Sequence, residues 1–129
     1  MAFDTRQISK DPDAIAPDGS EVRVLCSLSR GSMAHFTLLP GAVSIAIAHH
    51  TIEELWFFVS GTGRMWRKLE SLEEIVDVRP GLSLSIPIGT HFQVRCDGDE
   101  PLIAVGVAMP PWPGPDEAYV VDGPWPSSV

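Results

Sequence analysis

The chain has 129 residues, a formal charge of −8 and a hydrophobic fraction of 44%, with 12 Pro and 11 Gly. That length accommodates about one domain of roughly 100–150 residues. The acidity leaves no basic patch for nucleic acid and no attraction to an anionic membrane surface, and the apolar fraction excludes a disordered chain.

In chain order, residues 1–19 read as a polar lead-in with turn signals at Asp11-Pro12-Asp13 and Pro17-Asp18-Gly19. Strands are predicted at 21–28, 33–39, 43–49 and 54–59, then near 64–69, 74–78, 82–86, 91–96 and 102–108. Gly and Pro punctuate most of them: Pro40-Gly41, Gly61-Thr62-Gly63, Arg79-Pro80-Gly81 and Pro87-Ile88-Gly89. Only Leu69 to Val76 carries apolar residues at helical spacing. It is short and flanked by strands, so it reads as a loop with one turn, then a strand. Strands at this spacing predict an all-β fold, a single antiparallel β-barrel or jelly roll over residues 20–109. From Pro110 the texture changes to a Pro- and Trp-rich strap, residues 110–129, expected to be ordered by docking of Trp112 and Trp125.

Cys26 and Cys96 are too few for a disulfide framework, and no Cys-x-x-Cys is present. The polar N-terminus lacks a signal peptide's apolar core, and no run reaches the roughly 18 apolar residues of a membrane span. A cytoplasmic location is therefore expected.

Two spacings carry the functional reading. Gly41 is followed by Ile47, His49, Glu54 and Gly61; Gly81 is followed by Pro87, Gly89, Phe92 and Cys96. This register resembles the two motifs of the cupins, a family of small β-barrels. Gly41, His49, Glu54 and Gly61 fit the first motif, and Gly81, Pro87 and Gly89 fit the second. The chain departs from the pattern at three positions. Ile47 stands where the motif has its first histidine, Phe92 where the second motif has its histidine, and Cys96 where it has asparagine.

The resemblance implies one divalent transition metal, Zn, Mn, Fe or Ni, on His49 and Glu54, with His91 or His35 completing the set. The departures at Ile47 and Phe92 leave a second expectation, a barrel that has lost the metal and kept the pocket. His49 and Glu54 are the expected catalytic pair, and His35, Ile47, Trp56, Phe58 and Phe92 the expected pocket. Alternation sends Glu54, Trp56 and Phe58 to one side of a strand. A carboxylate among aromatic rings must pair, bind a cation, or rise in pKa and serve as a general acid or base.

The expected function is a small molecule held in the lumen. Either it is turned over by an isomerase, epimerase or oxygenase of cupin type, or it is a sugar or other small metabolite bound without catalysis and without metal. Leu55, Phe57 and Val59 make the opposite face of the same strand apolar. A second sheet layer, the strap or a partner subunit must cover that face, and a homodimer is expected. Arg64, Arg67 and Lys68 read as a solvated face beside acidic neighbours.

Overall fold

The structure, a computed structural model, describes residues 3–129. Among the described residues the strands are β1 (Ala14–Ile15), β2 (Glu21–Leu28), β3 (Gly31–Leu38), β4 (Ile47–His49), β5 (Glu53–Ser60), β6 (Gly63–Leu69), β7 (Leu72–Val78), β8 (Ser83–Ile86), β9 (His91–Cys96), β10 (Leu102–Met109) and β11 (Ala118–Val120). The segment with helical spacing is a hairpin. β6 and β7 pair from Gly63↔Val78 to Leu69↔Leu72, and Glu70 turns the corner with a φ of 56°.

The strands form two antiparallel sheets, ordered β1-β2-β3-β10-β5-β8 and β11-β4-β9-β6-β7. Their facing sides enclose one core, a cupin-type jelly roll. The ladder does not run continuously around as in a closed barrel, because each sheet keeps its own edge strands. Arg67 reaches across one of these gaps from β6 and donates to Ser85 O on β8 at 2.8 Å.

Alternation builds the interior. Glu54, Trp56 and Phe58 of β5 point inward, as do Met65, Ile86, Phe92 and Val94 from neighbouring strands. Each fully buried large apolar side chain contributes about 1.5–3 kcal/mol. Gly61 turns the β5–β6 corner at a φ of 82°, where a side chain would strike the Pro101 backbone.

The chain ends are part of the sheets. β1 in the lead-in pairs with β2, and β11 in the tail pairs with β4 along its whole length. Beyond β11 the tail lies along the second sheet. Buried Gln93 donates to Ser44 O at 2.8 Å and to Trp125 O at 2.7 Å, and accepts from Trp125 N at 3.2 Å. The Arg95 guanidinium sits 4.7 Å above the Trp125 ring.

On the outer face of the first sheet the β5 side chains stay open to solvent. Leu55, Phe57 and Val59 are 52%, 47% and 42% exposed. Among the described residues, no helix is long and apolar enough to cross a membrane.

Candidate functional site

The inward residues at one end of the jelly roll line a cavity of about 600 Å³. β4 supplies Ile47 and His49, β5 supplies Glu54 and Trp56, β9 supplies Phe92 and β3 supplies Phe36. Gly106 of β10 makes this packing feasible. A side chain there would lie 2.8 Å from Phe36 and 3.0 Å from Trp56. Its absence lets those rings stack over the strand at 5.3 Å.

The rings form a connected series. Trp56 meets Phe92 at 5.9 Å, Phe92 meets His49 at 5.3 Å, and His49 meets Trp112 of the tail at 5.5 Å. Trp112 is anchored at the mouth by its backbone N–H, which donates to Ser32 Oγ of β3 at 2.9 Å. The lead-in closes the other side with residues 14–18.

Polar groups in this wall lack partners. His49 Nδ1 stands 3.4 Å from Glu54 Oε1 but makes no hydrogen bond, and Trp56 Nε1 is also buried and unpaired. Burial pushes Glu54 up to about 8, reinforced by the nearby Asp18 carboxylate and opposed by the Trp56 indole. Burial pulls His49 down to about 4, against the attraction of Glu117. Near neutral pH both groups are therefore uncharged, and the pair is a carboxylic acid beside an imidazole rather than an ion pair.

Two further carboxylates frame the site. Burial raises the Asp18 pKa, against hydrogen bonds from Ser20 N at 2.9 Å and Ser20 Oγ at 2.6 Å. Glu117 of the tail is also buried. One of its oxygens accepts Thr51 N and Ile52 N, each at 2.7 Å, together with the Thr51 hydroxyl. These bonds outweigh burial and hold Glu117 below the ordinary carboxylate range. The same residue accepts His50 N through its backbone oxygen at 3.0 Å, so it fixes the loop between His49 and Glu54.

The expected ligand set is not assembled. His49 and Glu54 come together, but His91 lies opposite Lys68 on the face of β9 away from Phe92. No bulge re-aims it, since β9 pairs with β6 in unbroken register. His35 also departs from expectation. It sits between Arg23 and Val105 on the face of β3 opposite Phe36, and burial followed by Arg23 lowers its pKa. Phe58 is inward but deeper, beside a void of about 10 Å³ that Asp18 also lines.

Among the described residues no three His, Cys, Asp or Glu side chains stand close enough to hold a metal. Ile47 and Phe92 pair directly across the β4–β9 ladder where imidazoles would complete a set. About three protein donors are needed for a durable transition-metal site, so these residues do not fit one. The residues that sequence reasoning missed are Asp18, Phe36 and Trp112. The basic cluster is neutralised locally, with Arg64 on Asp77 at 3.2 Å and Arg67 on Glu74 at 3.0 Å.

Comparisons with known proteins agree with this architecture. Solved structures match at the level of the fold. The capsular polysaccharide assembling protein CapF from Staphylococcus aureus superposes with a TM-score of 0.71 at 18% identity, covering 92% of this chain and 35% of that one. An oxalate decarboxylase from Bacillus subtilis, described with Mn(II) centres, gives 0.72 at 19%, covering 87% and 30%. An uncharacterized conserved protein with a double-stranded β-helix domain from Klebsiella pneumoniae gives 0.65 at 14%, covering 92% and 91%. The chain thus spans about a third of the first two proteins. No curated protein matches it in sequence. The family model described as "Cupin domain" matches residues 34–108, more than half of the chain. On that match and this topology, the protein belongs to the cupin family.

Proposed function

We propose that this protein binds a small, largely apolar molecule in the 600 Å³ cavity, with the molecule's polar group held at His49, Glu54 and Trp56. One observation carries the reading: an aromatic-walled cavity is lined by His49, Glu54 and Trp56, and the buried ring nitrogens His49 Nδ1 and Trp56 Nε1 make no hydrogen bond. Leaving such a group unpaired costs about 1–3 kcal/mol. A ligand that supplies the missing hydrogen bond recovers that cost.

The opposed pKa values of Glu54 and His49 favour turnover as a second reading. The protonated Glu54 donates a proton at one atom of the ligand while the neutral His49 accepts one at another. The class of reaction is a metal-free isomerisation, which needs only a proton moved from one position to another.

Native mass spectrometry of protein purified without denaturant, together with tryptophan-emission titration against soluble aromatic aldehydes, ketones, alcohols and amines, tests the binding reading. Saturable binding by wild type and its loss in Ala108→Phe, which fills the cavity beside Glu54, is the expected result. Equal binding by the filled variant overturns it, as does the absence of both a retained molecule and any saturable ligand.

A further inference from the structure

The cavity wall combines two features that together specify a ligand charge. Five rings, Phe36, Trp56, Phe92, His49 and Trp112, follow one another at centroid spacings of 5.3–5.9 Å. Ring faces carry negative quadrupole charge and attract cations. Among them stands Glu54, 5% exposed, and behind it Asp18, 3% exposed. Among the described residues no Lys or Arg reaches this inner wall. Arg6, which does line the cavity, is half-exposed and paired with Asp4 at 3.2 Å. Among the described residues, His49 is the other basic side chain in the lining, 3.4 Å from Glu54.

We infer that the preferred occupant is a small organic cation, an ammonium whose charge lies between the aromatic series and the Glu54 carboxyl group. This deepens the binding reading above and rests on it. A quaternary ammonium suits the wall better than a metal ion does. It needs no third inner donor, and its methyl groups take up the apolar contact that Ile47 and Phe92 offer. The formal charge of −8 favours cation approach from solution.

The test compares choline with 3,3-dimethylbutan-1-ol, its uncharged isostere, by calorimetry and tryptophan emission. Choline is expected to bind at least about tenfold more tightly than the isostere. That preference should disappear in Glu54→Gln, which has no proton for an entering cation to displace and so cannot become a carboxylate beside it; its fold is checked by thermal melting. Trp112→Leu, which removes only the outermost ring, should weaken choline several-fold while leaving the melt unchanged.

Equal affinity for the two probes, or tighter binding of the alcohol, overturns the cation inference and leaves the binding reading standing. Choline binding that survives Glu54→Gln undiminished overturns it too. Absence of choline binding overturns it as well, and the binding reading is then decided separately by the Ala108→Phe comparison.

Discussion

Ile47 and Phe92 face each other across the β4–β9 ladder, both buried, each on the lumen side of its strand. A sec-butyl group and a phenyl ring thus meet beside His49 and Glu54, at the two positions where the family pattern has imidazoles. Restoring both should restore metal affinity. The Ile47→His/Phe92→His double variant is expected to retain about one equivalent of Mn, Fe, Ni or Zn after chelator-free purification and dialysis, as a four-donor set does. Elemental analysis checks this, and wild type carried through the same steps should retain far less than one equivalent. Stoichiometric metal in wild type would contradict the account.

Stability should depend on pH in a direction set by Glu54. Its pKa is about 8 in the fold against an ordinary 4.5, so between those values the folded state holds a proton that the unfolded state has released. Stability therefore falls as pH rises through that window. His49, at about 4 against 6.5, works oppositely, and its contribution is complete above pH 6.5. From pH 6.5 to 8 Glu54 acts unopposed by His49, with a loss of roughly 2 kcal/mol. Asp18, also raised by burial, acts with the same sign over its own window above the ordinary aspartate value. Urea melts across this range should show the decline, and Glu54→Gln should flatten most of it.

Glu117 anchors the loop that spaces His49 from Glu54. Glu117→Ala removes the acceptor of Thr51 N, Ile52 N and the Thr51 hydroxyl, and should cost about 2–4 kcal/mol by chemical denaturation. Because its backbone bond to His50 remains, the fold should persist while ligand affinity in the cavity drops. Unchanged stability would show that water replaces the carboxylate at no penalty.

The open outer face bears on assembly. Leu55 opposes Val107 and Phe57 opposes Val105 on that side, forming an apolar strip edged by Ser83 and Ser85 of β8. Among the described residues neither the tail nor a second layer covers it, which leaves a partner copy among the three expected covers. We expect wild type to sediment as a dimer and Phe57→Glu as a folded monomer of 14.0 kDa. A wild type that is monomeric at tens of micromolar would contradict this.

The sequence made the frame of the site legible because that frame is periodic and local. Alternation along Glu54–Val59 put Glu54, Trp56 and Phe58 inside, and the turn glycines set the register between the motifs. Alternation with inward Phe92 points His91 away from the lumen, and the unbroken β6–β9 ladder keeps it there. His35 and Phe36 are adjacent, so assigning their faces required the parity of β3. Leu38 and Ala34 share that parity with Phe36.

Asp18 lay outside local reasoning. Its Pro-Asp-Gly setting is that of an exposed turn. It is buried because its backbone oxygen accepts Ile45 N at 2.8 Å and because Val129 packs against Gly19. Trp112 depends likewise on Ser32, eighty positions earlier in the chain.

The tail strand β11 has a consequence for how members of this family are compared. The strand bearing His49 is three residues long and is held on one side by residues 118–120, outside the stretch that matches the family model. Asp18, Trp112 and Glu117 also fall outside it. Relatives aligned over the shared stretch alone can therefore agree at every barrel position and still present differently shaped and differently charged chambers. Specificity in such chains can diversify by rewriting the two ends, while the sheets between them stay as they are.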